Sequence, residues 1–170
     1  MTYLGIEDYV PEFQQGVETI AATHGARLLD LVGRTLVGTW LCWADGPDEW
    51  VADAPVVLRF DDVQLEIQHN AFDELSLTWG SIDVMRSIGF SDGDWHWRDD
   101  AIEKLSDLHG MAVVDVDLLA WSGLDLAHGS PAIGLVFDGG GGLTIYNALD
   151  ENGLDFDAPR PEYRKHRLAD

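Results

Sequence analysis

The chain is short of cysteine, of lysine and of long apolar runs, and each shortage excludes something. One cysteine, Cys42, stands among 170 residues, so no internal disulfide framework can form, and a reducing cytoplasm is the expected setting. No stretch approaches the roughly 20 uncharged apolar residues of a membrane helix. The opening residues, MTYLGIEDYVPEF, contain no base and no apolar run, which argues against a secretory signal there. The only lysines are Lys104 and Lys165, and ten Lys plus Arg face 31 Asp plus Glu, a net charge of -21. Such a surface repels nucleic acid and anionic membrane.

What is present is acid and aromatic. Residues 160–170 form a basic tail, with Arg160, Arg164, Lys165 and Arg167 against Glu162 and Asp170, so residues 1–159 carry a net -23. A body this negative attracts a basic protein partner by long-range steering. High-GC coding or a high-salt cytoplasm would produce the same balance, and both stay open. Apolar residues make up 46% of the chain, with seven Trp and six Phe. That is enough for one packed domain spanning 1–170 and excludes disorder.

Along the chain, Pro11, Phe13, Val17, Ile20 and Ala21 predict a helix over 11–31. After Gly33 the period becomes two. Strands are expected at 36–43, 56–60, 63–68 and 75–79, then at 112–121, 132–137 and 143–146. The segment 95–109 has room for a short helix with Ile102, Leu105 and Leu108 inward. Gly139–Gly142 read as a hairpin turn rather than a phosphate loop, because a strand follows them and no Lys-Ser/Thr pair does.

Two stretches echo each other. Phe60-Asp61, Leu65-x-Ile67 and Asn70-Ala71-Phe72-Asp73-Glu74 return as Phe137-Asp138, Leu143-x-Ile145 and Asn147-Ala148-Leu149-Asp150-Glu151. The spacing is 77 residues, with one-residue slips in the hairpins. The expectation is an internal repeat, about 33–80 and about 110–156, in an α+β, mainly antiparallel fold. A duplicated three-strand unit would form a sandwich or curled sheet, with the N-terminal helix against one face.

Few residues suggest chemistry. Asp92, Asp94 and His96 form the most metal-like cluster, a weak one, since no H-E-x-x-H accompanies it. The Asn147–Gly153 segment lacks the third ligand of an EF-hand loop, and Asx-turns account for its Asn and Asp. Cys42, in a strand among tryptophans, reads as a buried, inert thiol. No G-x-S-x-G elbow occurs. No cofactor is expected. Trp95 and Trp97, in a polar setting beside Asp92, Asp94, Asp99 and Asp100, are the candidate partner-binding residues, because aromatics dominate interface hot spots.

A small, acidic, α+β chain with scattered tryptophans resembles the immunity proteins of bacterial polymorphic toxin systems. The resemblance implies a non-enzymatic inhibitor that meets a basic toxin domain through a carboxylate-rich face. The alternative is a small-ligand-binding protein or enzyme with a pocket between the two repeats.

Overall fold

The computed structural model describes residues 2–89 and 94–168. A short hairpin of β1 (Thr2–Tyr3) and β2 (Ile6–Glu7) is followed by β3 (Phe13–Gln15) and helix α1 (Val17–Leu29). Next come β4 (Leu36–Ala44), β5 (Glu49–Trp50), β6 (Val56–Phe60), β7 (Val63–His69), β8 (Glu74–Trp79) and β9 (Trp95–Arg98). After the one-turn helix α2 (Glu103–Ser106) come β10 (Val113–Trp121), β11 (Pro131–Phe137), β12 (Gly142–Asn147), β13 (Asn152–Asp155) and β14 (Tyr163–His166).

These strands make two main antiparallel sheets. The first runs β3-β8-β7-β6-β4, with β5 and β9 both paired to the C-terminal half of β4. The second runs β13-β12-β11-β10-β14. Residues of alternating parity turn Leu36, Leu58, Phe60, Leu65 and Ile67 of the first sheet onto Val113, Leu118, Ile133, Leu135 and Ile145 of the second, and Ile20 and Leu28 of α1 close the flank. Burying side chains of this size contributes about 1.5–3 kcal/mol each, which is the main force joining the sheets. Among the described residues no helix is long and apolar enough to cross a membrane.

The outer face of the first sheet is covered as well. Cys42 and Val57 meet Ile6, Tyr9, Ile82, Val84 and Ile88 in a second, smaller core. A polar network fastens that cover. Glu66 is fully buried and accepts from Gln64 Nε2 (2.7 Å), Thr78 Oγ1 (2.8 Å) and the Ser81 backbone N–H (3.1 Å). Gln64 also donates to Ile82 O at 2.7 Å. A buried carboxylate without donors would be very costly, and three donors meet that need here.

The two sheets touch at both ends through paired contacts. At one end Thr35 bridges Ala112. Gly33 N donates to Val113 O and Gly110 N to Leu36 O, both at 2.8 Å; Leu36 N donates to Met111 O and Val113 N to Arg34 O. Every member of one pair lies 77 residues from its counterpart. The β4–β6 register (Leu36↔Phe60, Gly38↔Arg59, with a bulge between) has its match in β10–β11 (Val113↔Phe137, Asp115↔Val136). At the other end Asn147 Nδ2 donates to Asn70 O (2.6 Å) and Phe72 O (2.9 Å), and Phe72 N donates to Asp150 Oδ1 (2.9 Å).

The helix is shorter than its periodicity predicts. Residues 13–15 pair with β8 as an edge strand, and Gly16, at φ 82°, turns the chain from strand into helix. Pro11 and Phe13 therefore precede the helix. Gly25 lies inside the helix, where the cost of a mid-helix glycine, about 1 kcal/mol, is offset by burial of its neighbours His24 and Leu28. The segment 95–109 divides into strand β9 and the single turn α2, with Leu105 and Leu108 buried.

Candidate binding site

The facing sides of the two sheets share one side-chain core, and an apolar cleft lies on the outer face of the second sheet. Leu143 and Ile145 of β12 point inward, so Thr144 and Tyr146 point outward. Residues 156–162 connect β13 at one edge to β14 at the other and cross this face as a strap. Beside the strap is a cleft of about 280 Å³, lined by Trp121, Asp125, Tyr146, Asp155, Arg160 and Tyr163 among others.

Two glycines make its aromatic floor possible. A Cβ at Gly153 would sit 2.5 Å from Tyr146 Cζ, and one at Gly123 would collide with the Trp121 indole. Each ring lies flat where only hydrogen leaves room. Tyr163, opposite Trp121 in the β10–β14 ladder, stands edge-on to it with centroids 5.0 Å apart. Trp121 Nε1 donates to both carboxylate oxygens of Asp125, at 3.0 and 3.1 Å. Burial pushes the Tyr163 hydroxyl up to about 12; Tyr146 and Asp155 add to this and Arg160 opposes it. The phenol thus stays neutral and can donate. Leu149 in the lining is 97% exposed, and Leu124 and Leu126, the chain neighbours of Asp125, are 100% and 84% exposed.

The residues singled out in the sequence lie elsewhere. Asp92 falls outside the described residues. Trp95 and Trp97 are half-buried on β9, paired with Ala44 and Cys42, and pack on the second core. His96 and Arg98 take the opposite face. His96 Nδ1 lies 3.2 Å from Asp45 Oδ1; Arg98 stacks 4.8 Å from the Trp43 ring centroid and reaches Asp100 at 3.2 Å. Asp99 and Asp100 are exposed, whereas Asp94 is half-buried and its backbone carbonyl accepts from Asp45 N. With Asp45 and Asp48 they form an acidic edge. Among the described residues no three His, Cys, Asp or Glu side chains converge in a way that could hold a metal ion. The Asn147 and Asp150 oxygens are already engaged: Asn147 Oδ1 accepts from Asp150 N at 2.7 Å, an Asx-type turn, and Asp150 Oδ1 accepts from Phe72 N across the sheets. Cys42 is fully buried, and desolvation pushes its thiol up to about 12.

Sequence reasoning missed the cleft. Its floor comes from positions 121, 146 and 163, and the signal available was the small residue beside each of two rings, Gly123 and Gly153. No protein-family model, no curated protein and no solved structure matches the chain. What the fold and site define is a class: an acidic antiparallel sandwich with an aromatic cleft on one outer face.

Proposed function

We propose that the chain is a non-enzymatic binding module for a basic protein, of the kind that immunity-type inhibitors represent, and that the cleft receives an arginine or lysine side chain of that partner. The observation that carries this reading is an aromatic floor beside two carboxylates, Asp125 and Asp155, with the exposed Leu149 in the lining, on a body of net -23. A cation over tryptophan or tyrosine gains about 0.5–2 kcal/mol, more as water is excluded. The acidic edge of Asp94, Asp99 and Asp100, which flank β9 with its Trp95 and Trp97, is the second contact surface in the same reading.

The two meanders are, in this proposal, copies of one ancestral unit. The 77-residue spacing of the inter-sheet hydrogen bonds and of the matching bulges supports this. The outer face of the second copy is then where a shared scaffold gained a specific site.

The test is affinity capture from the native host, followed by binding of the purified partner to Trp121→Ala and Asp125→Asn variants. A basic partner whose affinity falls about tenfold or more with Trp121→Ala is expected. A partner without excess basic charge, or one indifferent to both substitutions, would refute the proposal. A small molecule that co-purifies in the cleft would favour a ligand-binding protein whose pocket lies on the outer face of the second repeat rather than between the two repeats, for which the apolar floor and volume of about 280 Å³ are the supporting features.

A further inference from the structure

We propose that the groove between α1 and β8 is a carboxylate-binding site, in which His24 and Arg27 hold the two oxygens. The groove, about 350 Å³, is lined by Glu12, Thr23, His24, Arg27, Trp79 and Ser81 among others. It lies on the flank of the first sheet and is independent of the aromatic cleft.

The tautomer of His24 is fixed by its neighbour. Trp79 Nε1 approaches His24 Nδ1 at 3.1 Å. An indole N–H can only donate, so Nδ1 must accept, and the ring proton of a neutral imidazole then sits on Nε2. Burial, the largest influence, holds the ring below the usual histidine range, and Arg27 acts in the same direction against Glu12. His24 is only 6% exposed, and its Nε2 has no acceptor among the described residues. Nε2 is closed to solvent, so a ligand oxygen reaches it by displacing the side chains that cover it, and the partnerless donor then gains an acceptor.

Arg27 stands ready beside it. Its guanidinium lies 4.5 Å from the centroid of the same Trp79 ring. In a chain with 31 acids, Arg34, Arg86 and Arg98 are ion-paired, whereas Arg27 has no carboxylate within salt-bridge distance among the described residues. A planar guanidinium stacked on an aromatic face keeps its N–H edge for a planar oxyanion, and carboxylate fits that fork. Glu12 across the groove sets the charge limit. It opposes any anion held by Arg27, and a dianion more strongly than a monoanion. The ligand is therefore a carboxylate, either a free small acid or the C-terminal end of a peptide.

The experiment titrates the full-length ¹⁵N-labelled protein with acetate, N-acetylglycine and inorganic phosphate. The readouts are the Trp79 indole N–H and the His24 ring nitrogens. Saturable shifts with the carboxylates are expected, weakened at least tenfold in Arg27→Gln and strengthened in Glu12→Gln. Arg27 is exposed, so Arg27→Gln should fold, and its thermal transition verifies that. Tighter binding of N-acetylglycine than of acetate assigns the peptide end; equal binding assigns a free acid. No saturable shift, tighter binding of phosphate, or an unchanged response in Arg27→Gln overturns the proposal and leaves the His24 donor to a bound water.

Discussion

His69 lies between the sheets with an acceptor at each ring nitrogen. Asn152 Oδ1 is 2.9 Å from Nδ1, and Pro131 O is 3.0 Å from Nε2. Asn152 cannot turn its amide to help, since its Nδ2 donates to Ala54 O at 2.9 Å. Two acceptors favour an imidazolium, but the ring is wholly buried, and desolvation pushes its pKa down to about 4 from 6.5. The folded value lies below the unfolded one, so the unfolded chain takes up the proton first as pH falls. Stability is complete above about pH 6.5 and is lost toward pH 4, by about 2 kcal/mol near pH 5. Urea unfolding near pH 7.5 and near pH 5 should show a loss larger by about 2 kcal/mol in the wild type than in His69→Gln, in which the buried His24 still contributes a loss of the same sign. An equal loss in both would mean that the acceptors keep the ring charged. At Cys42, a fully buried thiol raised to about 12 should label with a thiol reagent only as the protein unfolds; rapid labelling of native protein would contradict it. Gly153→Ala places a methyl against the Tyr146 ring. The expected outcome is a loss of about 1–3 kcal/mol by thermal melting, with Tyr146 lifted from the cleft floor.

Among the elements, β14 is the most exposed to a test. The basic segment 160–170 supplies this edge strand, which pairs Leu118 to Trp121 of β10 with His166 to Tyr163. Lys165 Nζ lies 3.4 Å from Asp117 Oδ2, and Leu168 enters the main core. A chain ending at residue 159 would expose the backbone of β10, withdraw Tyr163 from Trp121 and uncover the seat of Leu168. Self-association in light scattering and a lowered melting temperature are the expected results. A monomeric, equally stable truncation would show that the strand is dispensable. The legibility of the sequence also divides by element. The long strands could be read because period-two alternation reports a buried face directly, as in Leu65 and Ile67 or Leu143 and Ile145. The start of α1 could not, because residues 13–15 owe their strand conformation to β8, about 60 residues away. β9 was read as loop or helix for the same reason. Its Trp-His-Trp-Arg alternation gains meaning only beside β4. The cleft was illegible because its aromatic rings converge from three distant strands, and because glycines rather than reactive groups shape it.

At the scale of the whole molecule, charge and cleft make separable predictions about binding. If the chain inhibits a basic partner, the net -23 of residues 1–159 acts over distance, before any contact forms. Opposite potentials raise association rates about ten- to a thousand-fold at low ionic strength. That gain should fall steeply with salt, as the screening length shrinks from about 8 Å near 0.15 M to about 3 Å near 1 M. The dissociation rate depends on what is already desolvated, so salt should change it much less. Trp121→Ala should act in the complementary way, speeding dissociation about tenfold or more with little effect on association. Removing charge from the acidic edge, as Asp99→Asn with Asp100→Asn, should slow association and leave dissociation nearly unchanged. Acidity that reflects only a high-salt cytoplasm or coding bias predicts no such division, because the carboxylates would then be a solvated coat with no partner field to meet. Stopped-flow association and dissociation rates across a salt series, for the wild type and both variants, distinguish the cases. A salt-insensitive association rate, or equal effects of both variants on both rates, would rule out a steered inhibitor and favour the ligand-binding alternative.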